Sequence, residues 1–137
     1  KLLDFGCGPT TPFSDWLSPL GYSVTSYDPM FRCDEAALET CFDVVLCTEV
    51  WEHFHRPSDS IAKLSSLVKL GGWLAVMTLF SPKNASEFAS WYYKNDPTHV
   101  SFYSEDTLKW VAQKFSWELE LHSPNKALFL KNNRHRT

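Results

Sequence analysis

Leu2-Leu3-Asp4-Phe5-Gly6-Cys7-Gly8-Pro9-Thr10, followed by Thr11-Pro12, is the stretch on which the reading of this chain turns. Leu2 to Phe5 is an apolar run stopped by Gly6 and Gly8, the pattern of a buried strand entering a tight turn. Thr11 as N-cap and Pro12 in the first turn start a helix that ends near Gly21, shortened by Pro19. Tyr22 to Tyr27 carries Val24, Thr25 and two aromatic residues, and reads as a second strand closed by Asp28-Pro29. Glycines between a strand and a helix let the backbone approach a ligand, and the helix start favours polar or anionic groups. Asp28 ends the next strand about 20 residues after the loop, where a carboxylate can accept bonds from both ribose hydroxyls. Strand, loop, helix, strand and acid in this register predict a ligand site.

Phe42 to Cys47 is a β-rich run typical of a strand buried on both faces. Pro57-Ser58 opens a helical pattern with Ile61, Leu64, Leu67 and Val68 on one face, closed by Gly71-Gly72. Trp73 to Phe80 reads as another strand, followed by an aromatic segment from Phe88 to Tyr93 and a loop through Asp96-Pro97-Thr98-His99. Ser104 caps a helix running to about Phe115, and Trp117–Leu121 and Ala127–Leu130 are strands around the turn at Ser123-Pro124-Asn125. Residues 29 to 41 carry at most one helical turn, around Glu35 to Leu38. The predicted fold is α/β: a Rossmann-like, mostly parallel sheet with helices on both faces and a C-terminal antiparallel hairpin. Residues 1–131 form one domain, with 132–137 a solvated tail.

Composition agrees with a globular domain of this size. The 137 residues are 44% hydrophobic and 21% charged, enough to bury a core. Thirteen Lys and Arg against sixteen Asp and Glu give a net charge of -3, which disfavours a generic nucleic-acid or anionic-membrane binder. No apolar run approaches the roughly 20 residues of a membrane helix. Cys7, Cys33, Cys41 and Cys47 lack C-x-x-C spacing and read as buried thiols in a reducing cytoplasm. Trp110, Phe115 and Trp117 have core-like spacing and are assigned to packing.

Asp4-x-Gly6-x-Gly8, Asp28, Phe42-Asp43-Val44-Val45 and Gly71-Gly72-Trp73-Leu74 together resemble the successive motifs of class I S-adenosylmethionine-dependent methyltransferases. Similarity is closest to the small-molecule branch that includes the ubiquinone-biosynthesis O-methyltransferases. The resemblance implies S-adenosylmethionine as cofactor, with Asp4 orienting the loop or reaching the methionine amino group. Gly6, Cys7 and Gly8 pass beneath the cofactor, Asp28 holds the ribose, and Pro29 and Met30 lie beside the adenine. Asp34-Glu35-Ala36 resembles the acidic patch that contacts the adenine amino group, although residues 29 to 41 leave little room for the family's usual helix and third strand. The motif begins at once after Lys1, so the helices that precede the first strand in this family are expected to be missing. A nicotinamide dehydrogenase is the rival for the loop, but its third glycine position is Thr11.

Thr48-Glu49-Val50-Trp51-Glu52-His53-Phe54-His55 leaves the carboxyl end of the third strand, where open α/β sheets place their ligand crevice. By resemblance, Thr48 and Glu49 stand near the cofactor and Glu52-His53 at its junction with the substrate. Methyl transfer from a sulfonium needs alignment, and a hydroxyl acceptor also needs a base; His53 is the first candidate and His99 the second. Glu49, Glu52, His53 and His99 also resemble the ligands of metal-assisted methyltransferases, a group that includes small-RNA 2'-O-methylating enzymes; a divalent ion is possible but not favoured. Trp91 and Tyr92 are the expected aromatic wall of the acceptor pocket. The expected function is methyl transfer to a small molecule at a hydroxyl, with no nucleic-acid or membrane partner. The alternatives are a metal-assisted RNA 2'-O-methyltransferase and a non-catalytic module that binds cofactor or a protein partner.

Overall fold

The structure, a computed structural model, describes residues 1–131. The expected tail, 132–137, lies outside the described residues. β1 (Leu2–Phe5), β2 (Val24–Tyr27), β3 (Phe42–Thr48), β4 (Val68–Met77), β5 (Trp117–His122) and β6 (Lys126–Lys131) build one sheet in the order β2-β1-β3-β4-β6-β5. The pairs among β2, β1, β3 and β4 are parallel, and β6 runs antiparallel to both of its neighbours. The sheet is therefore mostly parallel, flanked by helices, with the expected closing hairpin. Parallel neighbours need crossovers. Helix α1 (Pro12–Leu17) lies between β1 and β2 in the chain, and α2 (Pro57–Leu67) between β3 and β4.

Alternation drives each strand into the core. In β3, Phe42, Val45 and Cys47 are buried, and they meet Leu74 and Val76 of β4 and Ala127 and Phe129 of β6 in one apolar cluster. Helix α2 buries Ile61, Leu64 and Leu67, and helix α4 (Glu105–Phe115) buries Leu108, Val111 and Ala112. Each fully buried Leu in this set contributes about 1.5–3 kcal/mol. Ser104 caps α4 as expected, its hydroxyl accepting the Thr107 N–H at 3.1 Å. Thr11 stands before α1, but its hydroxyl makes no capping bond. Pro19 ends α1 in a 3-10 turn (Ser18–Leu20), which Gly21 closes at φ 90°.

Four expectations are corrected by the fold. Gly71-Gly72 does not end the helix: α2 stops at Leu67, and both glycines lie inside β4. The β3–β4 register shifts between Phe42 and Val44, and at Gly72 an added Cβ would stand 2.8 Å from the Asp43 carbonyl, so the bulge excludes a side chain. The aromatic run read as one segment begins inside a helix, α3 (Ala85–Ser90), capped by Asn84, whose side chain accepts the Glu87 N–H at 2.8 Å. Of the four free cysteines only Cys47 is buried, because Cys33 and Cys41 lie in the exposed connection after β2 and at the entry to β3. Trp110 faces outward at 58% exposure, with the Lys114 Nζ 5.0 Å from its ring, while Trp117 is buried.

Candidate functional site

Parallel pairing brings the carboxyl ends of β2, β1 and β3 side by side. β1 leads into Gly6, β2 into Asp28 and β3 into Glu49. The Gly6 and Cys7 N–H groups both donate to the Tyr27 carbonyl, at 2.7 and 3.1 Å, which bends the loop over the end of β2. Gly6 is at φ 80°, and an added Cβ would meet a Val50 methyl at 2.5 Å, so the loop seats directly on the turn that leaves β3. Gly8, at φ 70°, donates its N–H to Asp28 Oδ2 at 3.0 Å. Asp28 Oδ1 accepts the N–H groups of Met30 (2.9 Å) and Phe31 (3.3 Å). Asp28 thus ties the glycine loop to the turn that follows its own strand.

Asp4 lies beneath this arrangement, 2% exposed, and its Oδ2 has no partner among the described residues. Burial, reinforced by the nearby Asp28 charge, pushes its carboxyl up to about 6. Burial, with Asp4 and Asp28 adding to it, likewise raises the Cys7 thiol. A buried, unpartnered acceptor beside a second carboxylate is a site that attracts a cation or a strong donor.

The turn after β3 is anchored by Trp51. Its ring is fully buried and stacks on Phe129 at 5.7 Å, and its carbonyl accepts the Tyr103 hydroxyl at 2.9 Å. Glu49 opens the turn in the left-handed region at φ 53°, rare for a residue with a long side chain. Glu52 is fully buried within a 3-10 turn (Trp51–His53), and its carbonyl accepts the N–H groups of Val100 and Ser101. His53 follows, half exposed, with Nδ1 3.0 Å from the Thr98 carbonyl and Nε2 4.0 Å from Glu52 Oε1. A carbonyl only accepts, so Nδ1 carries a proton, and the tautomer this selects has its lone pair on Nε2. His99 is held in the same way, Nδ1 donating to the Tyr93 carbonyl at 2.7 Å, and its ring lies 4.9 Å from that of His53.

Tyr93 completes the cluster. Its hydroxyl lies 2.5 Å from Glu49 Oε2, 2.6 Å from Glu52 Oε1 and 3.3 Å from Thr78 Oγ1. The Glu49 carboxyl is pushed up to about 7, first by burial of its tip and then by its hydrogen bond to Glu52, with Tyr93 working in the opposite direction.

A cavity of about 700 Å³ opens over the glycine loop. Its lining includes Gly6, Gly8, Asp28, Pro29, Met30, Glu49 and His53. Thr48 is the half-buried last residue of β3, paired with Met77. Asp34 stands apart from the lining as an exposed cap, accepting the Ala36 N–H at 3.1 Å. Trp91 packs among Phe88, Tyr93 and Phe102, and Tyr92 is 72% exposed; neither lines this cavity. Tyr93 and Trp51 are the residues that sequence reasoning did not single out for the site.

Of the four expected metal ligands, Glu52, His53 and His99 each offer one donor atom, and these atoms all lie within 4.8 Å of one another. Three of the four expected ligands thus stand together, with Glu52 Oε2 unpartnered among the described residues and Tyr93 occupying Glu52 Oε1. As arranged, these side chains form a hydrogen-bonded cluster.

The mitochondrial ubiquinone biosynthesis O-methyltransferase of Schizosaccharomyces pombe is 33% identical over 104 residues, covering 58% of this chain and 38% of that protein. The ubiquinone biosynthesis O-methyltransferase of Albidiferax ferrireducens is 31% identical over 110 residues, covering 61% and 43%. This chain thus spans less than half the length of these relatives. Human N-acetylserotonin methyltransferase, solved in complex with S-adenosylmethionine, has a TM-score of 0.69 at 10% identity, covering 96% of this chain and 47% of that one. At that identity the likeness is one of fold. The family described as "Methyltransferase domain" matches residues 1–122, a span that takes in the glycine loop, Asp28 and the whole Glu49–His99 cluster, and the chain belongs to that family, with the class I S-adenosylmethionine-dependent methyltransferase fold.

Proposed function

We propose that this chain transfers a methyl group from S-adenosylmethionine to a hydroxyl oxygen of a small molecule, a phenol being the preferred acceptor. The observation that carries the reading is the cavity in which Gly6, Gly8 and Asp28 face the turn bearing Glu49 and His53. The names of the two relatives, both O-methyltransferases of ubiquinone biosynthesis, support transfer to an oxygen. The net charge of -3 supports a small acceptor over RNA.

The residues present fit the cofactor. Asp28 accepts two loop bonds on Oδ1 and one on Oδ2, which leaves a lone pair on Oδ2 to accept a ribose hydroxyl. The unpartnered Asp4 Oδ2 suits the ammonium of the cofactor's amino-acid end, and Pro29, Met30 and Phe31 offer apolar cover for the adenine. The cofactor supplies a methyl group on a sulfonium, a leaving group that needs no acid. What remains for the chain is to align the acceptor, exclude water and take its hydroxyl proton. His53 Nε2 is the base for that step, its tautomer fixed by the Thr98 carbonyl.

The test is titration calorimetry with S-adenosylmethionine, followed by transfer of its labelled methyl to a panel of phenols, catechols and aliphatic alcohols. The expected result is cofactor binding and labelled phenolic product. In His53→Ala, kcat should fall by about 100-fold or more while cofactor affinity is kept. Binding without transfer to any hydroxyl acceptor would overturn the catalytic part of the proposal and favour a cofactor-holding module.

A further inference from the structure

We infer that Tyr93 is the positioning residue of this site, fastening Glu49 to Glu52 through its hydroxyl and His99 through its carbonyl and ring. The methyl-transfer reading above supplies the reaction; the role of Tyr93 rests on hydrogen-bond geometry.

The phenol ring is buried at 8% exposure, so the hydroxyl has no alternative partner in bulk water. It brings one proton and lies 2.5 and 2.6 Å from two carboxyl oxygens. One carboxylate can accept that proton. The second contact would set acceptor against acceptor unless that carboxyl carries a proton and donates it to the phenol oxygen. The two carboxyls therefore hold one proton between them, in a chain of two O–H···O bonds. That chain runs from Glu49 on the cavity wall to Glu52, which is wholly buried.

The same residue fixes the histidine. The Tyr93 carbonyl receives the His99 Nδ1 proton, and the two rings lie 4.3 Å apart. His99 Nε2 is left 3.6 Å from Asp96 Oδ2, and its ring edge meets His53. One side chain thus connects the exit of β3, the exit of β4 at Thr78 and the loop from Asp96 to His99. Without its hydroxyl, Glu49 would lose the contact that fixes its rotamer against Glu52, and Glu52 Oε1 would lose the Tyr93 hydroxyl while Oε2 has no partner among the described residues.

Tyr93→Phe keeps the ring and deletes the clamp. Glu49→Gln keeps a donor to the phenol oxygen and deletes the carboxyl proton. Wild type should show the infrared carbonyl band of a protonated carboxyl at neutral pH. In Glu49→Gln the band should vanish, and in Tyr93→Phe it should shift, because the carboxyl proton loses the phenol oxygen as its acceptor and keeps only the neighbouring carboxylate. In Tyr93→Phe, kcat should fall by at least about tenfold and the pH–rate profile should shift, with cofactor affinity and acceptor KM within about twofold of wild type. Wild-type kcat and pH profile in Tyr93→Phe, or an unmoved band in both variants, overturns the assignment. Should wild type bind cofactor and methylate nothing, the methyl-transfer reading fails by itself and the infrared bands still decide the clamp. Thermal melts report whether each variant is folded, and Glu49→Gln gives the infrared result without Tyr93→Phe.

Discussion

Asp28→Asn probes the ligand site and the loop together, because the wild-type carboxylate works on both. Oδ2 holds the Gly8 N–H at 3.0 Å, and Oδ1 holds the Met30 N–H at 2.9 Å. Asparagine has one oxygen where aspartate has two, so one of those N–H groups must face an NH2 whichever way the amide turns. The loss is one hydrogen bond to a charged acceptor, about 1.5–3 kcal/mol at a site only 9% exposed. In the apoprotein that should lower the melting temperature by roughly 5–10 °C. If the same carboxylate also holds ribose hydroxyls, the cofactor Kd should rise about 10- to 100-fold, at 1.4 kcal/mol per factor of ten. Asp28→Ala should weaken binding at least as much. Calorimetric titration with S-adenosylmethionine and with its demethylated product measures the effect on each ligand. An Asp28→Asn protein that binds within about twofold of wild type would refute the ribose role, and an unchanged melt would refute the loop tie.

Two further substitutions test the ground beneath that loop. Gly6→Ala must accept φ 80° and push aside the Val50 methyl now 2.5 Å from its Cβ, so it should cost about 2–4 kcal/mol, read from urea unfolding. Asp4 has a folded pKa of about 6, above its ordinary 3.8, so its ionisation penalises the native state. The stability it allows is complete below about pH 4 and is lost as pH rises through about 6. Asp4→Asn should therefore make the apoprotein more stable than wild type at about pH 8, with the gain disappearing at about pH 4, as thermal melts across that range will show.

The parts of this site that the sequence displays are those with local signatures. Gly6 and Gly8 interrupt a strand, Asp28 closes the next, and His53 leaves a third; each is visible because a turn must break an apolar run there. What escaped depends on register between distant strands or on very short elements. Gly71-Gly72 looks like a helix stop, and only the register shift between Phe42 and Val44 reveals the bulge. Helix α3 spans six residues, too few to display a period of 3.6. Trp91, Tyr92 and Tyr93 read as one aromatic run. Yet they enter a 3-10 turn, which points successive side chains in different directions: Trp91 is half-buried, Tyr92 is 72% exposed and Tyr93 is 8% exposed. Asp34 caps a short helical turn, a role its sequence position did not display because the turn is too short to show a period.

The backbone of Glu49 has an evolutionary consequence. At φ 53° the position favours glycine or asparagine, and a glutamate there forgoes about 1–2 kcal/mol of native stability. Neutral drift, which tolerates whatever keeps the fold, should replace it with one of those two. Among homologues, then, position 49 works as a marker: lineages under selection for the cluster retain an acid against the backbone's preference. Lineages released from it should relax to Gly or Asn while keeping the fold.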